Sequence, residues 1–277
     1  MAVPASLSLV AASLVASMLV VGCTSTIPSP STSGVSSGAP LPQESTASAT
    51  PPAPATVAPS ASPPEPTGEA SCDSPSGALP AGAACLTSFV STDAPAPPFA
   101  RFVVPAKGWN AFNGAYKDVA SGGATERVGA LFVMISNLNV DACMDQQPAD
   151  PPVGPTVDDL VSALVALRPF EVVEAPRAVT AFGTSGTYLQ LRVPVTLPSD
   201  GFESFTSCRT PLLRSWISPG HVSSSFNGYT GPGDTEAFWI FDQDGKRLVV
   251  AALTSANASP ALIAERQALL DSVTIEP

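Results

Sequence analysis

Thirty-one prolines and a charged fraction of 13% set this 277-residue chain apart from an ordinary globular sequence, so part of it is not expected to fold. Its 23 acidic against 12 basic residues give a formal charge of -11, with Lys107, Lys117 and Lys246 as the only lysines. No basic patch exists to neutralise phosphates, which excludes nucleic acid as a partner. Only Glu44, Glu65 and Glu69 among the acids precede Cys72 and every base follows it, so the folding part is acidic too and anionic headgroups repel it.

Residues 1–22 read as an export signal. Leu7 to Val21 is an uncharged run of Leu, Val, Ala and Ser with the length of a signal-peptide core, ending in Val20-Val21-Gly22-Cys23. That ending resembles a bacterial lipobox, which implies cleavage after Gly22 and acylation, palmitate included, of Cys23. A cleaved signal without lipid and an uncleaved signal anchor are the alternatives, since residues 2–22 carry no charge and about 20 apolar residues span a bilayer. Met1 to Leu9 lacks the Lys or Arg with which such signals usually begin.

From Cys23 to Ser71 the chain is nearly all Pro, Ser, Thr and Ala, with no aromatic residue, so a disordered stalk is expected. Its prolines favour extended polyproline-II geometry at about 3.1 Å per residue, a reach on the order of 100 Å. Ser/Thr density beside Pro resembles O-glycosylated stalks, with an unmodified tether as the alternative. Gly34-Val35-Ser36-Ser37-Gly38 matches a nucleophile elbow, but low-complexity flanks deny it the strand and helix that motif requires.

A single globular domain is expected over 72–277. Setting Cys23 aside leaves Cys72, Cys85, Cys143 and Cys208, an even set that reads as two disulfides in an exported protein. Cys72–Cys85 with Cys143–Cys208 is the expected pairing of the three available, because the first closes a short local loop. No Cys-x-x-Cys occurs, which removes the usual zinc and thioredoxin signatures.

Strands are expected at Phe99 to Val104 and Gly129 to Ser136, flanking a Trp109, Phe112, Tyr116 cluster. Thr156 caps a helix with Asp158 and Asp159 in its first turn and Leu160, Leu164 and Leu167 on one face, stopped by Pro169. Adjacent acids at a helix start favour the dipole and diverge, so they read as a cap and not as a catalytic pair. Val172 to Phe182 and Thr187 to Val195 follow as strands, with Gly183 and Gly186 assigned to the turn. The alternation of Leu189, Leu191 and Val193 with Tyr188, Gln190 and Arg192 predicts a sheet buried on one side. Phe238 to Phe241, Asp242-Gln243-Asp244-Gly245 and Leu248 to Ala252 form the clearest hairpin, its Asp-Gly suited to a tight turn. Ser259 and Pro260 open a second helix bearing Leu262, Ile263, Leu269, Leu270 and Val273.

Three stretches carry a family resemblance: Pro152 to Leu164 (PVGPTVDDLVSAL), Phe238 to Val250 (FWIFDQDGKRLVV) and Asp271 to Pro277 (DSVTIEP). Over residues 95–277 they resemble an exported lipoprotein domain of unknown function from high-GC Gram-positive bacteria, and the element order resembles the PsbP-like fold. The resemblance implies an α+β domain, an antiparallel sheet of about six strands with two main helices packed on it as an α/β/α sandwich. It implies no chemistry.

Candidate chemistry is sparse. His221, the single histidine, lies in a Gly/Pro/Ser loop with Ser223, Ser224 and Ser225, too local to assemble a triad. Asp141, Asp145 and Asp150 surround Cys143 as potential hard-cation ligands or as solvated loop acids. Trp109, Trp216 and Trp239 suit a saccharide or lipid pocket, or equally a core. The reading is a non-catalytic, disulfide-bonded binding or accessory domain on the outer face of the cell membrane, with no cofactor or metal. Its partners are the membrane through the lipid on Cys23 and an extracytoplasmic ligand or protein. The alternatives are a cell-envelope hydrolase using His221 and a structural or stress-sensing envelope protein with protein partners only.

Overall fold

The computed structural model describes residues 69–72, 77–89, 98–219 and 228–276. The export signal with Gly22 and Cys23, residues 23–68 of the stalk, His221 and Ser223 to Ser225 lie outside the described residues.

The described residues open with strand after strand: β1 (Glu69–Ser71), β2 (Ala78–Leu79), β3 (Ala84–Ser88), β4 (Phe99–Val103), β5 (Trp109–Ala111), β6 (Gly114–Ser121), β7 (Ala124–Val133) and β8 (Asn137–Leu138). Then come α1 (Val157–Ala166), β9 (Glu171–Ala181), β10 (Thr184–Arg192), β11 (Trp216–Ile217), β12 (Thr235–Gln243), β13 (Lys246–Thr254), α2 (Pro260–Asp271) and β14 (Thr274–Glu276). An eight-stranded sheet runs in the order β2-β5-β6-β7-β13-β12-β10-β9, antiparallel throughout. A four-stranded sheet, β1-β3-β4-β14, and the pair β11-β8 complete the set.

Local chemistry explains the long hairpins. Gly122-Gly123, Phe182-Gly183 and Asp244-Gly245 join β6 to β7, β9 to β10 and β12 to β13, each with positive φ at both positions. Such turns match the right-handed twist of the strands they join. Phe182 (φ 55) is the costly member, and its ring rests on Trp239 and Phe241 at centroid distances of 5.6 and 6.0 Å.

The large sheet is buried on both faces at its centre. Val128, Ala130 and Phe132 of β7 and Leu248, Val250 and Ala252 of β13 share a core with Phe102, Leu262, Leu269 and Leu270, from the four-stranded sheet and α2. The alternate residues Leu131, Val133, Val249, Ala251 and Leu253, with Phe238 and Ile240, share a second core with Leu160 and Leu164 of α1 and with Trp216. Thr156 and Asp159 cap α1 reciprocally, and Arg247 of β13 ties its start to the sheet by donating to the carbonyls of Gly154 (2.5 Å), Thr156 (2.9 Å) and Ile135 (2.6 Å). Ser259 caps α2 and Pro260 occupies its first turn.

This architecture overturns the expected six-stranded sheet with two covering helices. The described residues are mostly β, with eight strands in the main sheet, two smaller sheets, and helices of only 10 and 12 residues. Most of the added strands are two to five residues long, too short to show periodicity; the exception is the eight-residue β6, whose second half is largely exposed, and a sheet takes much of the covering role assigned to helices. Gly186 lies inside β10, not in the turn, because a Cβ there would collide with the Ile240 carbonyl of β12. Glu69–Ser71, assigned to the stalk, pairs in parallel with β3 next to the Cys72–Cys85 bridge.

Candidate functional site

The described residues of the connection from β10 to β12, 193–219 and 228–234, hold little regular structure beyond β11, and a covalent bridge staples them to the rest of the domain. A disulfide joins Cys208 within it to Cys143, while another joins Cys72 to Cys85. Long ordered loops on a rigid sheet are where binding groups concentrate.

Two buried polar residues shape this segment. Asp234, 1% exposed, accepts at Oδ2 from Thr230 N (2.6 Å), Thr230 Oγ1 (3.0 Å) and Gly231 N (3.1 Å), and at Oδ1 from Ala256 N (2.9 Å). Burial pushes its pKa up although these donors pull the other way. Arg127 of β7, 8% exposed, donates to both carboxylate oxygens of Asp118 (2.6 and 2.7 Å), to Glu203, and to the Gly228 carbonyl (3.3 Å). Burial alone would lower its pKa; the two carboxylates outweigh that and raise it. Its guanidinium also lies 5.5 Å from the Tyr116 ring centroid and 4.8 Å from that of Phe202.

Arg127 thereby holds residues 202 and 203 against the sheet. Glu203 adopts a left-handed backbone (φ 58), and its N–H crosses to the Thr230 carbonyl at 2.9 Å. A non-glycine residue in that region is a strained position kept by its surroundings.

Between these clamps opens a cleft of about 440 Å³. The turn Gly123 to Thr125, Ser199, Gly201, Phe202, Thr230 to Pro232, Asp234, Ala256 and Asn257 line it. Hydroxyls, an amide and glycine backbone share the lining with a somewhat larger apolar surface from Phe202, Pro232 and the alanines, and no lysine or arginine lines it. Phe202, 42% exposed, contacts Arg127 and borders the opening, a platform fixed from within. The chemistry offered is hydrogen bonding plus stacking.

The Tyr229 hydroxyl donates to Glu236 inside the second core, and burial lifts the Glu236 carboxyl from an ordinary 4.5 to about 8. Trp239, with Phe182, Gln267 and Asp271, borders a smaller recess of about 270 Å³ beside α2.

The residues singled out in the sequence are scattered. Asp141 is a local cap, Oδ1 accepting from Cys143 N (2.8 Å) and Met144 N (2.7 Å). It forms no metal site with Asp145 and Asp150, and no group of three potential ligands occurs among the described residues. Trp109 is fully buried and donates to Glu265 (3.1 Å), Trp216 is a core residue, and Trp239 is partly exposed at the small recess. Sequence reading missed Arg127 of β7 and, in the connection from β10 to β12, Phe202 and Asp234. The one available signal was the length of the connection that carries Phe202 and Asp234.

No family model matches the chain, and no curated protein matches it. Among solved structures, it is similar to LpqN, described as involved in cell envelope biogenesis of Mycobacterium tuberculosis, at 13% identity over 71% of this chain and 86% of that one. The TM-score of 0.31 is too low to establish a shared fold. Among the described residues no helix is long and apolar enough to cross a membrane.

Proposed function

We propose that the protein is a non-catalytic, lipid-tethered binding protein at the outer face of the cell membrane, and that its cleft receives an uncharged, polyhydroxylated ligand such as a sugar ring. The cleft carries this reading. At about 440 Å³ it falls in the range of small-molecule pockets, about 300–1,000 Å³, and it is built before any ligand arrives. Thr125, Ser199, Thr230 and Asn257 supply neutral polar groups, and Phe202 supplies the apolar face on which the C–H side of a sugar stacks. The Asp234 carboxylate already accepts four hydrogen bonds and works as the clasp of the loop. The signal, the Cys23 junction and the stalk support the address and the tether.

The test is binding of the full chain to an array of neutral glycans, acidic glycans and peptidoglycan fragments. Gly231→Leu serves as the blocked control, because a Cβ at Gly231 enters open space within the cleft lining. Retention of a neutral glycan that both Phe202→Ala and Gly231→Leu abolish is the expected result. Binding that survives both substitutions, or an array without a hit, defeats the proposal.

A further inference from the structure

Strand β9 ends the large sheet, pairing with β10 on one side and with no described strand on the other. It is 11 residues long, and every side chain from Glu171 to Ala178 is exposed, Val172 and Val173 among them. An edge of that length is a template for another strand unless something guards it. Pro176 withdraws one donor, register shifts lie against β10, and Glu174 and Arg177 place charges on the edge.

Those two charges are the informative part. Residues three apart on a regular strand face opposite ways. Here the interval between the pairs Arg177/Tyr188 and Glu174/Gln190 holds one more residue on β9 than on β10, a bulge that brings both charges to one face. Both meet Tyr188, whose hydroxyl donates to Glu174 at 3.2 Å and whose ring centroid lies 4.4 Å from the Arg177 guanidinium; the two half-exposed charges stand 3.7 Å from each other, a long intrachain contact that leaves both open to a partner.

We propose that β9 pairs antiparallel with β9 of a second copy, about a two-fold axis passing between Ala175 and Pro176, so that the two large sheets become one. In that register Glu174 stands opposite Arg177 of the partner subunit, and Arg177 opposite Glu174 of the partner subunit. Val173 then meets Ala178; the second register shift against β10, between Gln190 and Leu191, turns Val172 and Glu171 to the faces opposite those of Val179 and Thr180, so the paired segment runs from Val173 to Ala178. No like charges face each other. A slip of one residue either way sets Arg177 against Val173 or Ala175 and Glu174 against Pro176 or Ala178, forfeiting both ion pairs. A two-fold axis normal to the sheet keeps each face continuous, so the paired charges share a face. Pro176 sits beside the axis, where its missing N–H costs one bond per copy and keeps the association reversible.

Sedimentation velocity on the full chain carrying Cys23→Ser, so that no acyl chain drives association, tests this from about 1 to about 300 µM. The chain with native β9 is expected to dimerise reversibly. Glu174→Arg and Arg177→Glu are each expected to weaken the dimer by about 30-fold, because two attractive pairs become two repulsive ones. An equimolar mixture of the two variants is expected to recover the native association, since each altered chain then faces the charges it needs. A misfolded variant does not recover in the mixture, so that arm separates loss of fold from loss of pairing. A native β9 that stays monomeric across the range, or a mixture that associates no better than its components, overturns the proposal.

Discussion

Replacing Arg127 with methionine is expected to destabilise the domain and open the cleft together. The guanidinium is buried, yet it answers two carboxylates, Asp118 and Glu203, whose side chains are 32% and 22% exposed. Removing one partner of a buried ion pair costs about 3–5 kcal/mol because a charge is left uncompensated. Water reaches both acids in part, which reduces the expected loss to about 2–3 kcal/mol. In a domain of this size that corresponds to a fall in Tm of about 5–10 °C. Methionine keeps most of the side-chain volume, so the packing loss beside Tyr116 and Phe202 is the smaller contribution. Adding Asp118→Asn and Glu203→Gln to the methionine variant should restore part of the stability, since no stranded charge remains. Thermal unfolding gives the first number, and limited proteolysis around Phe202 reports the loosened loop. A Tm change below about 2 °C, or no recovery in the triple variant, refutes the reasoning.

The disulfides should differ in weight. Cys143 and Cys208 are separated by 65 residues and Cys72 and Cys85 by 13, so chain entropy gives about 4 and about 3 kcal/mol. Urea unfolding of the two Cys-to-Ser pairs checks the order, and a larger loss from the short loop contradicts it. Glu236 makes stability pH-dependent. With the folded carboxyl lifted to about 8 by burial and the unfolded one near 4.5, the folded state holds the extra proton between those values. Stability is therefore greatest below about pH 4.5 for this group and falls as pH rises through about 8, a decline that Glu236→Gln should flatten in urea midpoints measured across that window. A tagged fatty acid supplied to the producing cells should label the native chain and not Cys23→Ala; equal labelling of both excludes acylation at Cys23.

The elements legible in the sequence were those whose signal is local. The Asp244-Gly245 hairpin carries its turn residues between two apolar runs, and both helices announce themselves by Thr156 and Ser259 at their caps. Two disulfides were readable from the even set of four cysteines after Cys23. The short strands were not: Ala78–Leu79 and Trp109–Ala111 hold too few residues for alternation to register. Gly186 looked like a turn residue because proximity to Gly183 is visible in sequence, whereas the close approach of the Ile240 carbonyl is not.

By itself the sequence determined the acidic character, the division into an apolar N-terminal run, a Pro-rich segment and a cysteine-bearing region, and the caps and tight turns, since each follows from composition or from neighbours along the chain. Only the tertiary structure decided that the sheet has eight strands, that a second sheet helps to cover it, and where the cleft lies. Arg127 meets Glu203 from 76 residues away, and Asp234 reaches Ala256 across 22. Such contacts form when the sheet brings distant segments to one end, and their energy depends on burial that no local pattern records.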